Sequence, residues 1–110
     1  MDTIKKAIEK YDIDILESID VDGCRPIHNL SYQCKIDVIK QLIEKGVDIN
    51  SLNNNFENSI NILVEYNENL NEEMLFFFIK KNADFEKENS WCKSAIDYVK
   101  KYKNKNLYKL

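Results

Sequence analysis

Residues Gly23 to Asn50 read GCRPIHNLSYQCKIDVIKQLIEKGVDIN, and the outline of that segment returns further along the chain. A recurring unit constrains the fold more than any local propensity, because one copy cannot bury its own apolar face and must pack on its neighbours. Gly23 supplies the backbone freedom of a tight loop. Pro26 suits the first position of a helix, where its missing N–H costs nothing. A short helix through Ile27 and Leu30 is predicted, then a turn at Gln33–Cys34. A second helix carries Ile36, Ile39, Leu42 and Ile43 along one face, and Lys45–Gly46 closes it with a basic residue and a left-handed cap.

A shift of 33 residues carries Asp22 to Asn55 and lays Asn58-Ser59-Ile60-Asn61 over Arg25-Pro26-Ile27-His28. Ile60, Leu63 and Val64 keep the first helix of this copy apolar. Its ending, Lys81 to Glu86, matches Lys45 to Asn50 at an offset of 36, so three extra residues belong between the two helices, within Tyr66 to Glu73. Asn82 replaces the capping glycine, as Asn can. A third copy lays Cys92 to Val99 over Gly23 to Leu30, with Ala95 in the proline place. Upstream, Ile4, Ala7 and Ile8, then Ile15, Leu16 and Ile19, predict two short helices without the loop signature, which suits a terminal cap.

Proline-Ile-His opening a short helix, a longer helix ending Lys-Gly, and Val-Asp-Ile-Asn in register resemble the ankyrin repeat, a unit of about 33 residues. The resemblance covers Asp22 to about Lys103. It implies an all-α ankyrin-repeat solenoid in a single domain, 1–110. Capping helices would occupy 1–20, a first repeat 22–54, a second repeat with an insertion 55–89, and a truncated last repeat 90–110. Arg25 departs from the family's usual Thr, and Cys34 stands where Gly usually turns the chain between helices. Both departures point to a stack of modest stability.

Composition narrows the function classes. At 110 residues, 44% apolar and 32% charged, the sequence suits one soluble domain. Its longest apolar run, Met74 to Ile79, is far short of a membrane span. The N-terminus enters alternating charge without a hydrophobic signal region, so a cytoplasmic setting is expected. Three cysteines, Cys24, Cys34 and Cys92, form no CxxC pair and fit reduced thiols. The formal net charge is −3, yet the tail from Lys100 to Leu110 holds five lysines and no acid.

Catalytic chemistry has little to stand on. His28 is the sole histidine; Cys24 and Cys34 flank it, but the resemblance implies a backbone-bonding, structural imidazole in place of a metal ligand or general base. With two glycines there is no phosphate-cradling loop. The 19 acids offer many carboxylate pairs but no distinctive one. Lysines interleaved with Tyr102 and Tyr108 superficially suit nucleic acid, which the acidic body would repel. The run Phe76-Phe77-Phe78 reads as helix core more than as a contact patch. No enzyme activity, cofactor, metal, small-molecule substrate, nucleic acid or membrane partner is expected.

What remains is the surface that the resemblance implies, the concave face lined by loop tips and first helices. Register places on it Val21, Asp22, Cys24, Tyr32 and Gln33; then Asn54, Asn55, Glu57, Glu65 and Tyr66; then Ser90, Trp91, Lys93, Lys101 and Tyr102. Tyr and Trp are enriched at binding hot spots. The acidic insertion 67–73, with Glu68 and Glu72, suits steering a basic partner toward Tyr66, or else a solvated turn whose Glu72 and Glu73 favour the next helix's first turn. The expected function is non-catalytic protein binding by a monomer, the partner carrying a basic segment. An ankyrin protein of a virus or intracellular bacterium engaging host proteins, in the host cytoplasm, is one setting. An acidic immunity or antitoxin-like inhibitor and a scaffold subunit are the alternatives.

Overall fold

A computed structural model describes residues 6, 9–10, 12–67 and 71–101, without the side chain of Lys101. The described residues form helices and turns and no strand, so the chain is all-α. Six helices have their full extent among the described residues: α1 Ile13–Leu16, α2 Pro26–Tyr32, α3 Ile36–Lys45, α4 Ser59–Tyr66, α5 Glu72–Lys80 and α6 Ala95–Lys101. None of them is long and apolar enough to cross a membrane.

Local chemistry starts and stops each helix. Pro26 opens α2, and the Nδ1 of His28 accepts the Arg25 N–H at 2.9 Å. Asn58 and Asn71 cap α4 and α5 by accepting from the N–H of Asn61 and Met74 at 2.9 and 2.8 Å. Ser94 and Asp97 cap α6 reciprocally, each accepting the other's backbone N–H. Gly46 ends α3 at φ 113°, and Asn82 takes the equivalent place after α5 at φ 62°. In both caps the next residue returns a hydrogen bond into the helix, Val47 to Leu42 and Ala83 to Phe78. Cys34 turns the chain between α2 and α3 at φ 55°, the conformation a glycine would otherwise supply.

The first helices of successive units, α2, α4 and α6, pack side by side, and α3 packs back on α2. Ile27, Val38, Ile39, Leu42, Ile60, Leu63, Val64, Leu75 and Phe78 make the fully enclosed part of one core. Each such side chain contributes about 1.5–3 kcal/mol by leaving water. As the middle helix, α4 is buried from Ser59 through Val64, Ile62 included.

Three apolar expectations are corrected by the packing. The stripe of α3 is centred on Val38, Ile39 and Leu42, with Ile36 and Ile43 only half-buried at its margins. Of the three phenylalanines only Phe78 is core; Phe77 is half-buried and Phe76 exposed, because consecutive helical positions face about 100° apart. Near the N-terminus α1 is one turn long and buries Leu16 alone, leaving Ile15 exposed and Ile19 outside the helix at 63% exposure. Ile4, Ala7 and Ile8 lie outside the described residues.

Polar side chains knit the units together. The Nε2–H of His28 donates to the Ser51 carbonyl at 2.8 Å. The Ser31 and Ser59 hydroxyls, both buried, meet at 2.6 Å between α2 and α4. Buried Asn61 donates to the Lys93 carbonyl and accepts from Asn89, both at 3.1 Å. Asn61→Ala removes both bonds, leaving the Lys93 carbonyl only the Asn89 N–H, and is expected to cost about 1–2 kcal/mol in urea unfolding. A change within experimental error would mean that the Lys93 carbonyl and Asn89 amide find other partners.

Candidate functional site

One turn is built three times. Asp20, Asn53 and Asn89 each accept, through one side-chain oxygen, the N–H groups two and four residues ahead, at 2.9–3.1 Å. Each also closes the turn by donating its own N–H to the carbonyl four residues on: Cys24, Glu57 and Lys93. Asx side chains favour such turns because they imitate a backbone acceptor. Those same backbone bonds, with a further one from Asn29, hold the Asp20 carboxyl below its ordinary range.

The tips of these turns project outward. Val21 and Asp22 form the first, Asn54, Asn55 and Phe56 the second, Ser90, Trp91 and Cys92 the third, all exposed. The Ser90 N–H donates to the Asn55 carbonyl at 2.9 Å, which joins the second tip to the third. Each tip carries one exposed large apolar residue, Val21 at 97%, Phe56 at 54% and Trp91 at 57%. Phe56 escaped the sequence reading. It occupies the third place after Asn53, where Gly23 and Cys92 stand in the other turns, and all three have positive φ: 75°, 57° and 59°. A bulky aromatic in that region is strained, and at 54% exposure packing does little to offset it. The Lys87 ammonium stands 5.6 Å from its ring centroid.

Behind the tips, the C-terminal ends of α2 and α4 bring Tyr32 and Tyr66 together edge to face, ring centroids 5.1 Å apart. The Tyr32 hydroxyl donates to Glu57 Oε1 at 2.5 Å, and the Asn53 amide donates to the same oxygen at 2.9 Å. Tyr98 of α6 completes the cluster, near enough to Glu65 for that acid to raise its phenol. Burial and the two acids keep these phenols protonated: Tyr32 and Tyr66 are raised, and Tyr98 is pushed up to about 12.

Two residues expected on the surface are not there. Glu57 is 0% exposed, drawn inward by Tyr32 and Asn53. Cys24 is buried beside Asn53, whose amide lies 3.7 Å from its sulfur, and burial raises its thiol. Glu65 is half-buried, while Gln33, Tyr66 and Lys93 are exposed. Glu72 lies in the first turn of α5, lining a groove of α3 and α5 with Lys40, Phe76, Phe77 and Lys80. Glu68, Tyr102 and the side chain of Lys101 lie outside the described residues. All three cysteines are free thiols, and no group of three or more metal-ligating side chains occurs among the described residues.

No protein-family model matches the chain, and no curated protein matches its sequence.

Proposed function

We propose that the chain is a short ankyrin-like solenoid that binds a protein through its turn tips and the adjoining ends of α2 and α4, without catalysing a reaction. One observation carries this reading: the same hydrogen-bonded turn occurs three times, with Val21, Phe56 and Trp91 held out at the tips. Scattered exposed apolar residues are ordinary, whereas large ones gathered on rigid, connected turns suit an interface. Glu57 and Glu65 behind them, and the net charge of −3, favour a partner with a basic segment.

The test uses the intact chain as bait in lysate of its source cells, with Phe56→Ala, Tyr66→Ala and Trp91→Ala as paired baits. A retained protein is then titrated in purified form. Each substitution is expected to weaken binding by roughly 1–2 kcal/mol if the side chain is an anchor. Unchanged affinity in all three variants would remove this face from consideration.

A further inference from the structure

Glu57 and Glu65 each keep one carboxylate oxygen, Oε2, buried and without a hydrogen-bond partner. Neither acid forms an ion pair with another described residue; the one such pair joins Arg25 to Glu17 at 3.6 Å. A buried polar atom left unpartnered costs free energy, so two of them beside one aromatic pair ask for a missing donor. Glu57 is wholly enclosed, and its paired oxygen is held by Tyr32 and Asn53, so its side chain has no route to water without rearrangement. Tyr66 lies near both acids and is itself half exposed, its ring held on one edge by Tyr32.

We infer that the Tyr32–Tyr66–Tyr98 cluster opens to receive one arginine side chain of the partner's basic segment, with Glu57 and Glu65 as its acceptors. This rests on the protein-binding reading and gives its partner a chemistry. A guanidinium fits better than an ammonium: its planar fork donates to two separated oxygens while its face stacks on an aromatic ring. Entry requires Tyr66 to swing away from Tyr32, giving up an edge-to-face contact of modest strength for cation–π contact and two charge-assisted hydrogen bonds.

The experiment titrates N-acetyl-arginine amide into the isotopically labelled full chain and follows backbone amide shifts. The lysine and citrulline amides serve as charged and neutral comparisons. Saturable shifts confined to residues around Asn53, Glu57, Glu65, Tyr66 and Tyr98 are expected with arginine, weaker ones with lysine and none with citrulline. Glu65→Gln and Tyr66→Leu should each lower arginine affinity about tenfold or more. Glu57→Gln should do the same, and an otherwise unchanged amide spectrum verifies its fold. Equal shifts from citrulline, or full affinity in Glu65→Gln, would overturn the pocket. Partner capture lost in Phe56→Ala and Trp91→Ala without any arginine response would leave the protein-binding reading standing and discard the pocket. A saturable arginine response with capture untouched by the tip variants would do the reverse.

Discussion

Phe78→Ala is expected to lower the unfolding free energy by about 3–5 kcal/mol, because the ring is fully enclosed and its loss leaves a cavity. Phe78 lies on the inner side of α5, with the ring of Phe77 edge-on at 5.6 Å, and belongs to the single core cluster. Domains are held by about 5–15 kcal/mol, so this loss is a third or more of the total unless the chain lies at the upper end of that range. Urea unfolding followed by circular dichroism measures this directly. Phe76→Ala, two residues away and 45% exposed, is the control and should change stability by less than about 1 kcal/mol. Comparable losses in the two variants would mean that α5 is rotated from the packing described.

His28 should give the second large effect, and it should depend on pH. Its ring is fully buried, with Nδ1 accepting from the Arg25 N–H and Nε2–H donating to the Ser51 carbonyl, an arrangement only the neutral imidazole can make. Burial holds the ring below its ordinary value of 6.5; the nearby Arg25 charge adds to this, while the Ser51 bond and Glu57 oppose it. A depressed value in the folded state means that the stabilisation is complete above the unfolded value of 6.5 and is lost as pH falls through the folded one. The stability of the native chain is therefore expected to decline from pH 6.5 toward pH 5. The loss of exposed carboxylate interactions at Asp20 and Asp97, both below the ordinary 3.8, comes at lower pH. His28→Ala should cost about 3 kcal/mol at pH 7.5, since it strands two backbone groups, and should flatten the decline above pH 5. Urea midpoints at four pH values decide this; an equal slope in the variant would move the titration to another group.

Much of the fold was legible because its signals are local. Pro26, Gly46 and the matched endings at Asp48 and Asp84 mark helix limits, and the structure puts α2, α3 and the caps at Gly46 and Asn82 where those residues require. Position along a repeat said less about which side chains point inward. Glu57 reads as an exposed loop acid, yet a hydrogen bond from Tyr32, 25 residues away, holds it in the interior. No periodicity encodes that contact. The Asx turns left a trace, since Asp20, Asn53 and Asn89 occupy one register and Cys92 falls on Gly23, but nothing in the residue type of Phe56 announces the same backbone. The short α1 fails for a different reason. Ile15 and Ile19 have the spacing of a helical face, but Leu16 alone meets the core.

The uneven spacing of the three turns has a use beyond this molecule. Asp20 and Asn53 stand 33 residues apart and Asn53 and Asn89 stand 36 apart, yet their hydrogen bonds are the same. The difference is absorbed before α5, by one more residue in α4 than in α2 and by the longer connection that follows. Chain length there is uncoupled from the register of everything on either side. Doubling a loop costs only about 0.6 kcal/mol in closure entropy. The connection between α4 and α5 is therefore a grafting seam, where foreign segments such as epitopes, tags or recognition loops can be spliced without retuning the scaffold that displays them.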